Sequence, residues 1–158
     1  MTIDCDSGVA GGLSKPVRPP WALVASSADV LAARFHARLV ALDPEVAALF
    51  AKTDPAALQR RLAYTFWALA ESLDQPERLV VLVVPLGRRH AGYGVREEHY
   101  QLATEALFEA LRDTLGPHST PELEDQWREL MGLVTAVMER ALNGERNPSL
   151  GRSETHEY

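Results

Sequence analysis

An all-helical, single-domain fold is predicted for this chain, and three observations predict it. Ala and Leu contribute 22 residues each while Ile occurs once, and Ala and Leu are the strongest apolar helix formers. Asp-Pro occurs at 43–44 and again at 54–55, each time setting an N-cap carboxylate before a residue whose fixed φ suits the first helical turn. Apolar residues then recur at three- and four-residue spacing over long windows, the period of a helix face rather than of a strand. A length of 158 residues fits one domain around one core.

Residues 1–20 read as a flexible tail. The first twelve have no periodic apolar face, and Pro16, Pro19 and Pro20 prevent a continuous helix. Pro20 suits the first position of a short helix over 21–25. Ser26 and Ser27 ahead of Asp29 offer caps and a first-turn negative charge, and Leu31, Phe35, Leu39 and Leu42 follow at helical spacing. Asp43-Pro44 opens a short helix that ends at Ala47-Ala48-Leu49-Phe50. Asp54-Pro55 opens a longer one with the stripe Leu58, Leu62, Phe66, Leu69 and Leu73.

Asp74-Gln75-Pro76 breaks the pattern, and the run 79–84 (Leu-Val-Val-Leu-Val-Val) taken alone passes for a buried strand. A lone strand has no partner here, so tertiary context has to make it helix; Pro85 and Gly87 predict a short or irregular one, ended by Gly92 and Gly94. Glu97–Leu115 is the next helix, with Tyr100, Ala103, Leu107 and Leu111 on one face and Gly116-Pro117 as its stop. Thr120-Pro121-Glu122 starts the last, whose stripe is Leu123, Trp127, Leu130, Val134, Met138 and Leu142. Residues 143–158 read as a second flexible tail, which leaves 21–142 as the domain.

Composition narrows the function. Asp plus Glu is 22 against 16 Lys plus Arg, a net charge of −6. That balance argues against non-specific nucleic-acid binding and against anionic membrane surfaces, both of which need a basic surplus. One cysteine, Cys5, excludes a disulfide framework and any cysteine-rich metal cluster. No apolar run approaches the ~18 residues of a membrane span, and no positive-then-apolar signal opens the chain. The expectation is a soluble, cytoplasmic protein. No nucleophile elbow, phosphate loop or dinucleotide fingerprint is present.

The histidines are the residues left that could carry chemistry. His118 and His156 stand in polar settings and read as solvated, and His99, beside Glu97 and Glu98, reads as exposed. His36 lies inside an apolar helix among Ala32, Phe35, Leu39 and Val40, and the pattern admits a core histidine as readily as a functional one. His90 follows Arg88-Arg89 and precedes two glycines, a pattern that by itself favours a basic surface patch.

The segment 86–100 (Leu-Gly-Arg-Arg-His-Ala-Gly-Tyr-Gly-Val-Arg-Glu-Glu-His-Tyr) resembles the proximal haem region of bacterial single-domain globins, relatives of the globin domain of flavohaemoglobins. Two more blocks match in order. Residues 33–39 with Leu42-Asp43-Pro44-Glu45 and Leu49-Phe50 resemble the family's B helix through its C–D corner, and Thr120-Pro121-Glu122 through Trp127 resembles the start of its last helix. The resemblance covers roughly residues 22–142. It implies a globin fold, a helical sandwich around one haem b (iron protoporphyrin IX), with the first helix shortened by Pro19 and Pro20. A set of five or more helices, some very short, suits that fold better than a four-helix bundle.

The same resemblance implies the site. His90 takes the place of the proximal iron ligand, Phe50 of the phenylalanine that packs on the porphyrin, Tyr100 of the tyrosine in the proximal pocket, and Leu86 of the apolar contact beneath the haem. On the distal side this sequence departs from the family. His36 replaces the usual B-helix tyrosine, and the usual E-helix glutamine aligns with Leu58, although Gln59 is one residue away. Leu62 then falls over the iron, so the distal pocket becomes Phe35, Leu58 and Leu62 around His36. The carboxylate that polarises the proximal imidazole aligns with Leu142, with Glu139 about one turn earlier.

These expectations lead first to a haem globin that binds dioxygen, nitric oxide or carbon monoxide, serving oxygen binding or transport, or nitric oxide detoxification. The sequence as it stands ends at Tyr158 with no flavin or nicotinamide domain, so turnover as a nitric oxide dioxygenase calls for an external flavin reductase. The rival is a haem-dependent oxidative enzyme of peroxidase or biosynthetic tailoring type, with His36 as distal acid/base, a role open to a side chain whose ordinary pKa lies near neutrality. A helical interaction or sensor domain without haem is the third reading. Monomer and homodimer both remain open.

Overall fold

The computed structural model describes residues 20–73 and 75–146, and within them every long element is an α-helix. They are α1 (Pro20–Ser26), α2 (Ala28–Leu42), α3 (Pro44–Leu49), α4 (Pro55–Glu71), α5 (Pro76–Gly92), α6 (Glu97–Leu115) and α7 (Pro121–Arg146), with a 3-10 turn at Gly116–His118. No strand occurs among the described residues.

The starts of α3 and α4 follow from the two Asp-Pro pairs. The Asp43 carboxylate accepts from the Glu45 backbone N–H at 2.8 Å, and that of Asp54 from Ala57 at 2.9 Å. Each satisfies a donor that the helix cannot, with proline filling a first-turn position that needs no N–H. The start of α2 differs from the expectation. Ser27 sits at the N-cap position but its side chain makes no cap bond, and the Ser26 hydroxyl donates back to the Leu23 carbonyl at 3.1 Å. α1 therefore runs almost directly into α2.

The larger departure is α5. Expected short or irregular, it is a single helix of 17 residues through both Pro85 and Gly87. Burial supplies the reason. Leu79 and Val83 are buried one helical turn apart, so helix places both on the core face, whereas a strand would find no partner. Pro85 deprives the Val81 carbonyl of its helical donor, but Val81 is 76% exposed and water can serve that carbonyl. α7 also runs past the expected boundary at 142, to Arg146. The rest of the expected tails, 1–19 and 147–158, with Cys5 and His156, lies outside the described residues.

The helices pair in two groups. α2 crosses both α6 and α4, with α1 against α4, while α5 lies along α7. Phe35 of α2 meets Phe66 of α4 edge to face at 5.1 Å, and Leu31, Leu107 and Trp127 are fully buried. Arg38 ties α2 to α6 through Glu109 and Asp113 at 3.0 and 3.1 Å; these half-exposed pairs add little beside the apolar contacts. Among the described residues, no helix is long and apolar enough to cross a membrane. α4 and α5 are neighbours in sequence, yet each commits its apolar face elsewhere, α4 to α1 and α2, α5 to α7. Replacing the Asp54 cap by Ala is expected to lower stability by about 1 kcal/mol, read as an earlier urea midpoint at unchanged slope. An unshifted midpoint would show that Pro55 and packing alone start α4.

Candidate functional site

His90 stands in the last turn of α5 and is half-buried. Its Nδ1 lies 2.8 Å from the Leu86 carbonyl oxygen one turn earlier. A carbonyl only accepts, so Nδ1 carries the proton and donates, and the Nε2 lone pair is left for another partner. Burial holds the imidazole below its ordinary pKa; the bond to Leu86 works against this, and the nearby Arg89 charge adds to the depression. The neutral, ligand-competent form is thereby favoured.

Tyr100, in the first turns of α6, lies nearly parallel to the His90 ring at a centroid distance of 6.5 Å, while the exposed Tyr93 stands across the imidazole at 6.3 Å. Tyr100 is buried and its hydroxyl has no hydrogen-bond partner. Burial and then the negative charge of Glu139 on α7 raise its pKa. Leu142, where the sequence comparison placed the carboxylate position, belongs to the apolar core. The charge that acts on the phenol is thus one turn earlier, at Glu139.

The other candidates sort into two sets. His36 is half-buried on α2, its ring edge-on to Phe50 at 5.2 Å and 89°, and its buried Nε2 has no partner. Phe50, Leu62 and Leu86 are partly buried apolar side chains packed against the core, and Leu58 is half-buried. Phe35 differs, being 8% exposed and engaged with Phe66. Gln59 donates from Nε2 to the Asp29 carbonyl at 2.7 Å. It lies on the same α4 stripe as Ala63, Phe66 and Ala70, all buried, so its amide serves as a strut from α4 to the start of α2.

Sequence reasoning missed His99. Expected exposed, it is 7% exposed, and its Nδ1 accepts from the Arg96 backbone N–H at 3.0 Å as one half of a capping box that starts α6. The signal was its position three residues into a helix, where a side-chain acceptor can reach back to the cap. Arg96 also pairs with Glu45 of α3, tying the turn after α5 to the corner that bears Phe50.

The site shows one half-buried imidazole with a free lone pair, a second with an orphaned nitrogen, a buried unpartnered phenol, and aliphatic and aromatic side chains left partly uncovered. A sequence model of the family described as Globin matches residues 33–138. The chain belongs to the globin family. It is similar to the flavohemoproteins of Bordetella pertussis (33% identity over 119 residues, 72% of this chain), Rhodopirellula baltica (30% over 117 residues, 73%) and Bacillus subtilis (28% over 108 residues, 67%). The matched regions are 30%, 29% and 27% of those proteins, so the chain spans less than a third of the length of these relatives, within their globin part.

Globin membership implies a haem. The residues fit one: a flat apolar cofactor with one axial position needs a neutral imidazole and apolar walls, which His90, Leu86, Phe50 and Leu62 can supply. Because the Gln59 amide is engaged with Asp29, Gln59→Leu is expected to lower stability by about 0.5–1.5 kcal/mol and leave dioxygen dissociation unchanged. Stopped-flow dissociation rates check this, and faster escape in the variant would move Gln59 into the pocket.

Proposed function

We propose that this globin holds one haem b between α4 and α5, with His90 as its iron ligand, and binds a diatomic gas that takes up partial negative charge when bound, dioxygen or nitric oxide, on the side of His36. The observation that carries the reading is the His90 Nδ1–H bond to the Leu86 carbonyl. It fixes the tautomer and aims the remaining lone pair outward, the arrangement that second-shell partners impose on ligating histidines.

The protein residues divide the work. Leu86 orients His90 through its backbone and offers its side chain to the haem underside. Tyr100 packs on the His90 ring, and the Glu139 charge acts on the phenol. Phe50 and Leu62 wall the cofactor, Leu58 covers the distal mouth, and Phe35 backs the pocket from the core. When bound, the haem supplies an iron centre at which a diatomic ligand coordinates. His36 is the polar group toward that ligand: its Nε2 has no partner in the protein, and in the Nε2-protonated tautomer it donates to a ligand that carries partial negative charge. Carbon monoxide carries less and gains less.

The relatives are named flavohemoproteins, a flavin paired with a haem. For nitric oxide dioxygenase turnover, electrons would come from a flavin reductase outside residues 20–146. The orphaned Nε2 also supports a second reading, a peroxidase-like enzyme in which His36 would serve as distal acid/base for peroxide and the haem, when bound, would supply the two electrons that O–O cleavage needs. Peroxide-dependent oxidation of a phenolic dye that is abolished in His36→Leu favours the second reading; its absence in the wild type favours gas binding.

Two outcomes test the axial assignments. His90→Gly is expected to lose haem and its Soret band, and to recover both with added imidazole; a wild-type spectrum without imidazole sinks the assignment. His36→Leu is expected to speed dioxygen escape by up to about a hundredfold, since such a bond contributes roughly 0.5–3 kcal/mol and each 1.4 kcal/mol is a decade. Carbon monoxide release should change less. Equal rates for wild type and variant would make His36 a packing residue.

A further inference from the structure

Gly87 is buried in the middle of α5, where glycine weakens a helix relative to alanine. It has no positive φ to explain it. The neighbours explain it. A Cβ built at Gly87 would come within 3.1 Å of the Met138 backbone Cα and 3.1 Å of the Ala141 Cβ on α7. Both are firm parts of α7 rather than the end of a flexible side chain, so a methyl there must push α5 and α7 apart by a few tenths of an ångström. Gly92, five residues on in the same helix, has nothing within 4 Å of such an atom.

We propose that Gly87 is a positioning residue for the proximal side: its missing side chain lets α5 lie directly on α7, and that close crossing sets where His90 presents its ring to the iron and to Tyr100. This rests on the reading of His90 as the haem ligand. Three facts connect the crossing to the ligand. His90 lies three residues beyond Gly87, within one turn, and its ring is tied by Nδ1 to the carbonyl of Leu86, the residue just before Gly87. Met138, the residue touched, immediately precedes Glu139, whose charge reaches Tyr100. Tyr100 in turn faces the His90 ring. Moving α5 off α7 shifts the imidazole and the carboxylate relative to each other.

The change from glycine to alanine at 87 therefore acts in two directions. It favours helix in the apoprotein and misplaces the ligand in the holoprotein. The experiment compares the full chain as wild type, Gly87→Ala, Gly87→Ala with Ala141→Gly, Gly92→Ala and His90→Gly. Three quantities are read: apoprotein thermal unfolding, haem loss to an excess of a haem-scavenging apoglobin, and the ferrous iron–histidine stretching band. Gly87→Ala is expected to keep the wild-type apoprotein midpoint or exceed it, lose haem up to roughly tenfold faster, the low end for disturbing a group that orients a metal ligand, and shift the stretching band. Ala141→Gly, which removes one of the two obstructing atoms, should return haem loss and band part of the way. Gly92→Ala should match wild type throughout. Wild-type haem loss and an unshifted band in Gly87→Ala would overturn the proposal. So would an apoprotein that unfolds in that variant, which would make Gly87 an ordinary packing position. A wild-type spectrum in His90→Gly would overturn the reading of the ligand itself, and this proposal with it.

Discussion

The bond from His90 Nδ1 to the Leu86 carbonyl exists only because α5 stays helical through Pro85 and Gly87. A break at either residue would carry the imidazole away from the carbonyl one turn earlier, free its tautomer and remove it from Tyr100. What holds the helix through its two weakest positions is tertiary. Leu79 and Val83 bury their side chains, and α7 accepts α5 at close range. The carbonyl orphaned by Pro85 belongs to Val81, on the solvent side where water replaces the lost donor. The placement of His90 thus depends on an inter-helix contact that compensates poor local propensity.

That dependence also marks where the sequence could be read and where it could not. The starts of α3 and α4 were legible because an Asp-Pro pair carries its own mechanism: the carboxylate and the orphan N–H are two or three residues apart. The stripes of α4, α6 and α7 were legible because 3.6-residue periodicity is a local signal. α5 was not, since a run of valines and leucines followed by proline and glycine argues against a long helix until α7 is known to lie against it. His99 was misjudged for a related reason. Its charged neighbours Glu97 and Glu98 suggested solvent, while its burial follows from a reach back to the Arg96 backbone that charge pattern does not encode.

At the site, residue identity carried further than geometry. His36, His90, Phe50 and Tyr100 were singled out by the resemblance to bacterial globins, since pattern alone favoured a surface patch for His90 and left His36 open; the structure places them in two ring pairs, His36 on Phe50 and His90 on Tyr100. The register of α4 was the part a sequence alone leaves open, because one residue of slip rotates a helical side chain by roughly 100°. The Gln59 bond to the Asp29 carbonyl accounts for that amide. The carboxylate behind Tyr100 was displaced by one turn for the same reason: Leu142 and Glu139 lie three residues apart on α7, near each other on its surface, and only the packing shows which one is apolar core and which one the phenol feels.

Phe50 links the two halves of the reading. It stands at the end of α3, a helix of six residues that has little stability of its own. Two devices hold it: the Asp43 cap at one end, and the pairing of Glu45 with Arg96 in the turn that follows α5. Through that pair the corner that braces His36 is tied to the turn between His90 and Tyr100. A half-buried histidine on α2 could otherwise rotate its unsatisfied Nε2 toward solvent, where water would pair it. The edge-on Phe50 ring opposes this by occupying one flank of the imidazole. The orphaned nitrogen is therefore retained by packing, at a cost in unmade hydrogen bonding of about 1–3 kcal/mol.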